Sequence, residues 1–151
     1  GLLFQYPLSK SQLESYLQKA DGKNPTRLIY KAVDLNSGAV VGHAELDQID
    51  YLKRTAVATR VMVGEQSMRG QGIGGQIIRQ LLEIGFNLKL ESIELIVFDF
   101  NTAAINCYQK VGFKINEYVE DGRKVGDEYW SYYKMRASRN EICRSPLCGN
   151  L

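Results

Sequence analysis

The sequence predicts an α+β fold: a mixed, largely antiparallel sheet interrupted by one central strand–helix–strand unit. Three observations predict it. Short β-branched and aromatic runs come as hairpin pairs towards both ends of the chain. One long amphipathic stretch follows a strand in the middle. After it, "SIELIVFDF" is nearly all apolar, as a strand buried on both faces should be. The 151 residues suit one domain, assigned to residues 1–135, with 136–151 as a polar tail.

Each element follows from a local pattern. Ser9 to Ala20 reads as a helix, with Ser9 or Ser11 as cap and Leu13, Tyr16 and Leu17 on one face. Asp21-Gly22-Lys23-Asn24-Pro25 breaks it. Arg27 to Leu35 and Ala39 to Asp47 form a hairpin about Asn36-Ser37-Gly38. Asp50 to Arg54 turns the chain into "TAVATRVMV", a β-branched strand over Thr55 to Val63. From Ile73 the period becomes helical, with Ile73, Ile77, Leu81, Ile84 and Leu88 on one face and Gln76, Arg79, Gln80 and Glu83 outside. Ser92 to Phe100 is the buried strand. Asn101 is a good N-cap for a short helix ending near Val111, where Gly112 stops it. Lys114 to Val119 and Glu128 to Met135 make a second hairpin, with its turn expected at Asp121-Gly122.

Composition excludes several function classes. The formal net charge of +2 is too small to point to nucleic acid, which calls for a clustered basic face. No apolar run approaches the roughly 20 residues of a membrane-spanning helix. Gly1-Leu2-Leu3-Phe4 lacks the basic region and long apolar core of a signal peptide. Cys107, Cys143 and Cys148 show no metal spacing with His43, so no metal is expected. Their odd number favours a reducing, cytoplasmic compartment, although Cys143 and Cys148 could pair across the tail.

The chemistry concentrates in "MRGQGIGG", Met68 to Gly75. Gly70, Gly72 and Gly75 satisfy the dinucleotide pattern G-x-G-x-x-G, and Asp99 ends the next strand where a ribose-binding acid would be sought. Against that reading, Gly64 to Arg69 separate the glycines from their strand. The chain also has only one strand–helix–strand unit, and the residues after Phe113 make strands. A P-loop fails outright, because no lysine follows any of these glycines. Two readings remain, a glycine-rich helix cap with no ligand and an anion site: glycines expose successive N–H groups at a helix N-terminus, where the dipole favours negative charge, and Arg69 either adds a forked donor or packs the loop.

Arg69-x-x-Gly72-x-Gly74 after a strand resembles the pyrophosphate loop of the GNAT superfamily of acetyl-CoA-dependent N-acetyltransferases. "NTAAINCYQKVGF", Asn101 to Phe113, is similar to that family's Asn-x-x-Ala-x-x-x-Tyr segment closing in Gly-Phe. The resemblance runs from about Arg27 to Met135 and includes the strand order. It implies that acetyl-CoA lies in a gap between Thr55–Val63 and Ser92–Phe100. It also implies that Met62, Val63 and Gly64 pair with the pantetheine arm, and that Gly70, Gln71, Gly72, Ile73, Gly74 and Gly75 hold the pyrophosphate. Asn101 and Asn106 would then lie near the coenzyme, Asn101 being equally well explained as a helix cap.

The resemblance further implies transfer of acetyl to a primary amine, with Tyr108 as the general acid. A phenol with an ordinary pKa of about 10 can protonate a thiolate whose conjugate acid lies near about 8.5. Relatives often carry a glutamate base on the fourth strand, but here Ala58 and Thr59 occupy that place. His43, Glu45 and Asp47 alternate on one strand and share a face. Glu45 is the first candidate base, with His43 and Asp47 behind it, and direct attack by a neutral amine is the alternative without a base. The closing "EDGRKVGDEYWSYYKM" resembles the branch with ribosomal-protein N-terminal and spermidine acetyltransferases. An acidic face near Glu45 would suit a cationic acceptor, and the acceptor set includes polyamines, antibiotics and protein N-termini. That branch begins with a strand before its first helix. Here that strand is expected to be missing, through truncation or because a partner supplies the edge. An unprotected edge at Arg27–Leu35 would then favour a homodimer. A catalytically silent acyl-CoA sensor on the same fold is the competing expectation.

Overall fold

The computed structural model describes residues 2–6, 25–34, 36–63 and 72–142. The helix expected over Ser9–Ala20 and the residues Gly64, Arg69, Gly70, Gln71, Cys143 and Cys148 lie outside them. Seven strands are described: β1 (Leu2–Tyr6), β2 (Leu28–Asp34), β3 (Val40–Asp50), β4 (Thr55–Val63), β5 (Ser92–Phe98), β6 (Lys114–Val125) and β7 (Glu128–Ser138). Helices α1 (Ile73–Asn87) and α2 (Thr102–Val111) flank β5, and a single turn, α3 (Arg139–Ile142), follows β7. The strands form one sheet in the order β1-β2-β3-β4-β5-β7-β6. Only β1–β2 and β4–β5 run parallel. The mixed, largely antiparallel sheet is therefore present.

The first strand is present, contrary to expectation. Leu2 to Tyr6 pairs with β2 in register Leu2↔Tyr30 to Tyr6↔Asp34. Five residues are too few for an alternation to be read, and their partner lies far along the chain, so nothing local announces the strand. Strand β2 is consequently paired on both sides, by β1 and β3, which removes the open edge expected to favour a homodimer. Two other boundaries move. The β6–β7 turn is at Gly126-Asp127, and Asp121 (φ 48°) sits instead at a register shift inside β6, between Val119 and Arg123. Arg136 to Ile142, expected as loose tail, complete β7 and α3, with Ile142 buried.

The core lies between α1 and one face of the sheet. Cross-strand rows place Leu46 beside Ala58, Ala56 beside Ile93, and Ile93 beside Ala137 on that face. Ile77, Ile78, Leu81 and Ile84 of α1 are buried there. Each such side chain contributes about 2 kcal/mol by leaving water. That burial, more than end chemistry, holds α1: its first turn carries no acid and no side-chain cap. The helix also approaches closely because β3 is thin beneath it. A Cβ on Gly42 would run into Ile77 Cδ1 and stand 2.9 Å from the Met62 carbonyl oxygen.

Candidate active site

The sheet opens between its two central strands. β4 and β5 pair only over Thr55–Val57 and Ser92–Glu94. Beyond Val57 they separate, and a cavity of about 1000 Å³ occupies the space between the end of β4, the start of α1 and the inner face of α2. Val61, Met62 and Val63 form the strand wall.

The α1 wall is a helix N-terminus whose first N–H groups have no partner among the described residues. Gly72 precedes it at φ 77°, a left-handed conformation that glycine adopts without strain. A glycine there offers no side-chain oxygen to cap the helix. Gln76 N–H already bonds to Gly72 O at 3.1 Å, whereas the N–H groups of Ile73, Gly74 and Gly75 have no intrahelical partner. Gly74 and Gly75 line the cavity. A Cβ on Gly75 would meet Cys107 Sγ at 3.4 Å, so the missing side chain lets α2 close against this turn. The side chain of Ile73 itself is in the core.

The α2 wall carries Asn101, Asn106, Cys107, Tyr108 and Lys110. Asn101 is the expected N-cap: its side-chain oxygen accepts from Ala104 N–H at 3.2 Å. It also faces the cavity, so its two expected positions coincide. Tyr108 packs its ring at 5.8 Å from that of Phe113. Burial raises its pKa above the ordinary tyrosine value, with the neighbouring Cys107 adding to the effect. The phenol is therefore fully protonated at neutral pH and available as a donor. Burial likewise pushes the Cys107 thiol up, against a smaller opposing pull from Lys110, which makes it a poor nucleophile.

Two further cations line the cavity, Arg79 on α1 and Lys110 on α2. Neither forms an ion pair among the described residues. Arg79 was expected on the outer face of its helix, and Lys110 was not among the residues expected at the site. The signal was there in spacing: Gly72, Gln76 and Arg79, and Cys107 and Lys110, fall on helical stripes that begin at cavity residues.

Glu45 is elsewhere. His43, Glu45 and Asp47 do share the face opposite Ala44 and Leu46, but Glu45 is buried (3% exposed) inside an ion cluster and does not line the cavity. Its Oε2 accepts from Arg27 Nε at 3.1 Å and Nη2 at 2.7 Å. Its Oε1 accepts from Arg60 Nη1 at 3.2 Å and lies 3.2 Å from His43 Nε2. Burial alone would raise the carboxyl pKa, but the hydrogen bonds from Arg27, His43 and Arg60 outweigh it and hold it below the ordinary value. A carboxylate so engaged has little proton affinity to offer an amine. The face is not acidic either, because two guanidinium groups neutralise the carboxylate.

The chain as a whole is similar to known proteins. Residues 2–113 match the Acetyltransferase (GNAT) family. The chain belongs to that family. The curated L-amino acid N-acetyltransferase AaaT of Escherichia coli (strain K12) is 34% identical over 99 residues, 65% of this chain and 61% of the relative. The chain thus spans about three-fifths of that relative's length. Among solved structures, a chimera of spermidine N-acetyltransferase SpeG from Vibrio cholerae and hSSAT superposes with a TM-score of 0.75 at 22% identity, covering 91% of this chain and 84% of the other. The Vibrio cholerae spermidine N-acetyltransferase in complex with CoA and spermine gives 0.73 at 22%, covering 89% and 78%. At that identity the likeness establishes the GNAT fold. Among the described residues, no helix is long and apolar enough to cross a membrane, and no group of three or more His, Cys, Asp or Glu could hold a metal ion.

Proposed function

We propose that the chain is an N-acetyltransferase that moves acetyl from acetyl-CoA to a primary amine, with the coenzyme in the cavity between β4, α1 and α2. The observation that carries this is the N-terminus of α1 at the cavity, with Arg79 and Lys110 beside it, neither in an ion pair among the described residues. Free N–H groups, the helix dipole, Arg79 and Lys110 suit a ligand bearing several phosphates. Met62 and Val63 supply strand backbone for the pantetheine arm. Gly64, Arg69, Gly70 and Gln71 complete the loop in this reading, and Asn106 lies along the same wall. Bound acetyl-CoA supplies an activated acetyl group on a good leaving thiol.

Tyr108 holds a proton on its phenol oxygen at the cavity wall, where it can be donated to the departing sulfur. None of the described residues lining the cavity is a carboxylate or histidine. This favours attack by the neutral fraction of the acceptor amine over a dedicated base, and it speaks against Glu45 in that role. The acceptor is a small-molecule amine or a protein N-terminus. The neutralised Glu45 gives a polyamine no free carboxylate there, while the name of the E. coli relative supports amino acids. A dodecameric form of the Vibrio enzyme supports an oligomer for this chain as well, and the odd cysteine count supports a cytoplasmic setting.

The test is thermal stabilisation by acetyl-CoA followed by thiol release over amino acids, polyamines, aminoglycosides and N-terminal peptides. Ligand at 100 times its Kd stabilises the folded state by about 2.7 kcal/mol. The absence of a melting shift at millimolar acetyl-CoA would overturn the coenzyme assignment. Binding without turnover on any amine would instead identify an acyl-CoA sensor.

A further inference from the structure

The coenzyme cavity exists because β4 leaves β5, and the point of departure is marked in the backbone. On β3, one residue, Ala44, lies between Glu45 and His43. On β4, two residues, Arg60 and Val61, lie between their partners Thr59 and Met62. The extra residue is a β-bulge, which bends the strand and increases its twist. Arg60 has φ 51°, a left-handed conformation inside a strand that an L side chain rarely adopts. The three residues that follow, Val61 to Val63, form the strand wall of the cavity.

A non-glycine residue stays in that conformation only where its surroundings over-determine it. Here the surroundings include Glu45, to which Arg60 is bonded. Its carboxylate is buried, and Oε2 is fixed by both Nε and Nη2 of Arg27. The other oxygen, Oε1, is presented to Arg60. The side chain of Arg60 is 65% exposed along its length, yet its tip is bonded to a group that solvent barely reaches. One carboxylate thus ties the residue preceding β2, the middle of β3 and the bulge of β4 together.

We propose that Glu45 is a positioning residue: it holds Arg60 in the left-handed conformation that offsets β4, and so sets the wall against which the coenzyme lies. This rests on the coenzyme reading above. Substituting the exposed Arg60 leaves the core untouched, which makes Arg60→Ala and Arg60→Gly the informative pair. Both lose the ion pair, but only glycine adopts φ 51° without strain.

Calorimetric titration of each variant with acetyl-CoA is expected to show Arg60→Ala weakened about tenfold, the scale of one strained residue, and Arg60→Gly within about threefold of the parent. In steady-state kinetics, Glu45→Gln should raise KM for acetyl-CoA more than it lowers kcat and leave the acid limb of the kcat profile in place. Equal affinities for Arg60→Ala and the parent would overturn the proposal, as would Arg60→Gly binding no better than Arg60→Ala. A Glu45→Gln variant that loses kcat and its acid limb with KM unchanged would make Glu45 the base instead. If the parent protein itself fails to bind acetyl-CoA, the coenzyme reading fails first, and that outcome is separate from all of these.

Discussion

Replacing Tyr108 by phenylalanine isolates one oxygen atom. The ring stays packed against Phe113 and the core in both forms, and the phenol oxygen has no hydrogen-bond partner among the described residues. Removing it therefore orphans no described group, and the stability change should stay below about 1 kcal/mol, or a melting shift of less than about 4 °C for a domain of this size. If the phenol protonates the leaving thiolate, its loss should lower kcat by about 10² to 10⁴, the usual worth of a positioned general acid. That corresponds to about 3–5 kcal/mol of barrier. The raised pKa fixes the pH sign. The acid is competent while protonated and is lost only as pH rises past a value above that of ordinary tyrosine, so Tyr108 imposes no fall in kcat between pH 7 and 9 (roughly the assay range). The assay is thiol release at saturating acetyl-CoA and acceptor, with the dissociation constant for acetyl-CoA measured separately. A kcat within about threefold of the parent, with binding intact, would refute the role and leave Tyr108 as a packing residue.

Arg79→Gln and Lys110→Gln should each weaken acetyl-CoA several-fold at low salt, with the difference shrinking by 0.5 M salt (roughly) as exposed charges are screened; unchanged affinity at low ionic strength would remove these cations from the site. Gly42→Ala forces a Cβ onto Ile77 and the Met62 carbonyl, so it should cost about 2 kcal/mol and lower Tm by roughly 4–8 °C, and an unshifted melt would show that α1 can give way freely. Tyr30 is held neutral by burial, its pKa pushed far above the ordinary tyrosine value, with Tyr51 adding to the effect. In the unfolded chain it ionises at about pH 10, so its contribution is complete below that pH and is lost as pH rises further. Denaturant midpoints between pH 8 and 11 (about neutral to alkaline) should fall at the top of the range and fall less in Tyr30→Phe.

What the sequence made legible was what neighbouring residues encode for one another. The bounds of β4 follow from its own β-branched run, and α2 follows from Asn101 as cap and Gly112 as stop. Asp121-Gly122 misled for a physical reason. A left-handed residue followed by glycine serves a hairpin turn and a bulge equally well, and the register of β6 on β7 makes it a bulge. Strand β1 was invisible because the pairing that defines it is with β2, far along the chain. Alternation correctly put His43, Glu45 and Asp47 on one face, yet it could not show that Arg27 and Arg60, distant in sequence, would close over the carboxylate.

The same division separates the proposed coenzyme side of the site, which rests on consecutive residues, from the acceptor side, which does not. A phosphate cradle is made of backbone: glycines, a helix N-terminus and a left-handed entry at Gly72, all within a few residues of one another. Its requirements are written consecutively. Proton affinity at the acceptor is set by which charges meet across strands, and the Glu45 cluster joins residues from three separate segments. A carboxylate on the right strand face therefore predicts a base only when its partners are known. With Arg27 and Arg60 in place, the same residue type is held as an ion-paired anchor, and under the proposed function the proton leaving the amine is then sought in the acceptor's own equilibrium.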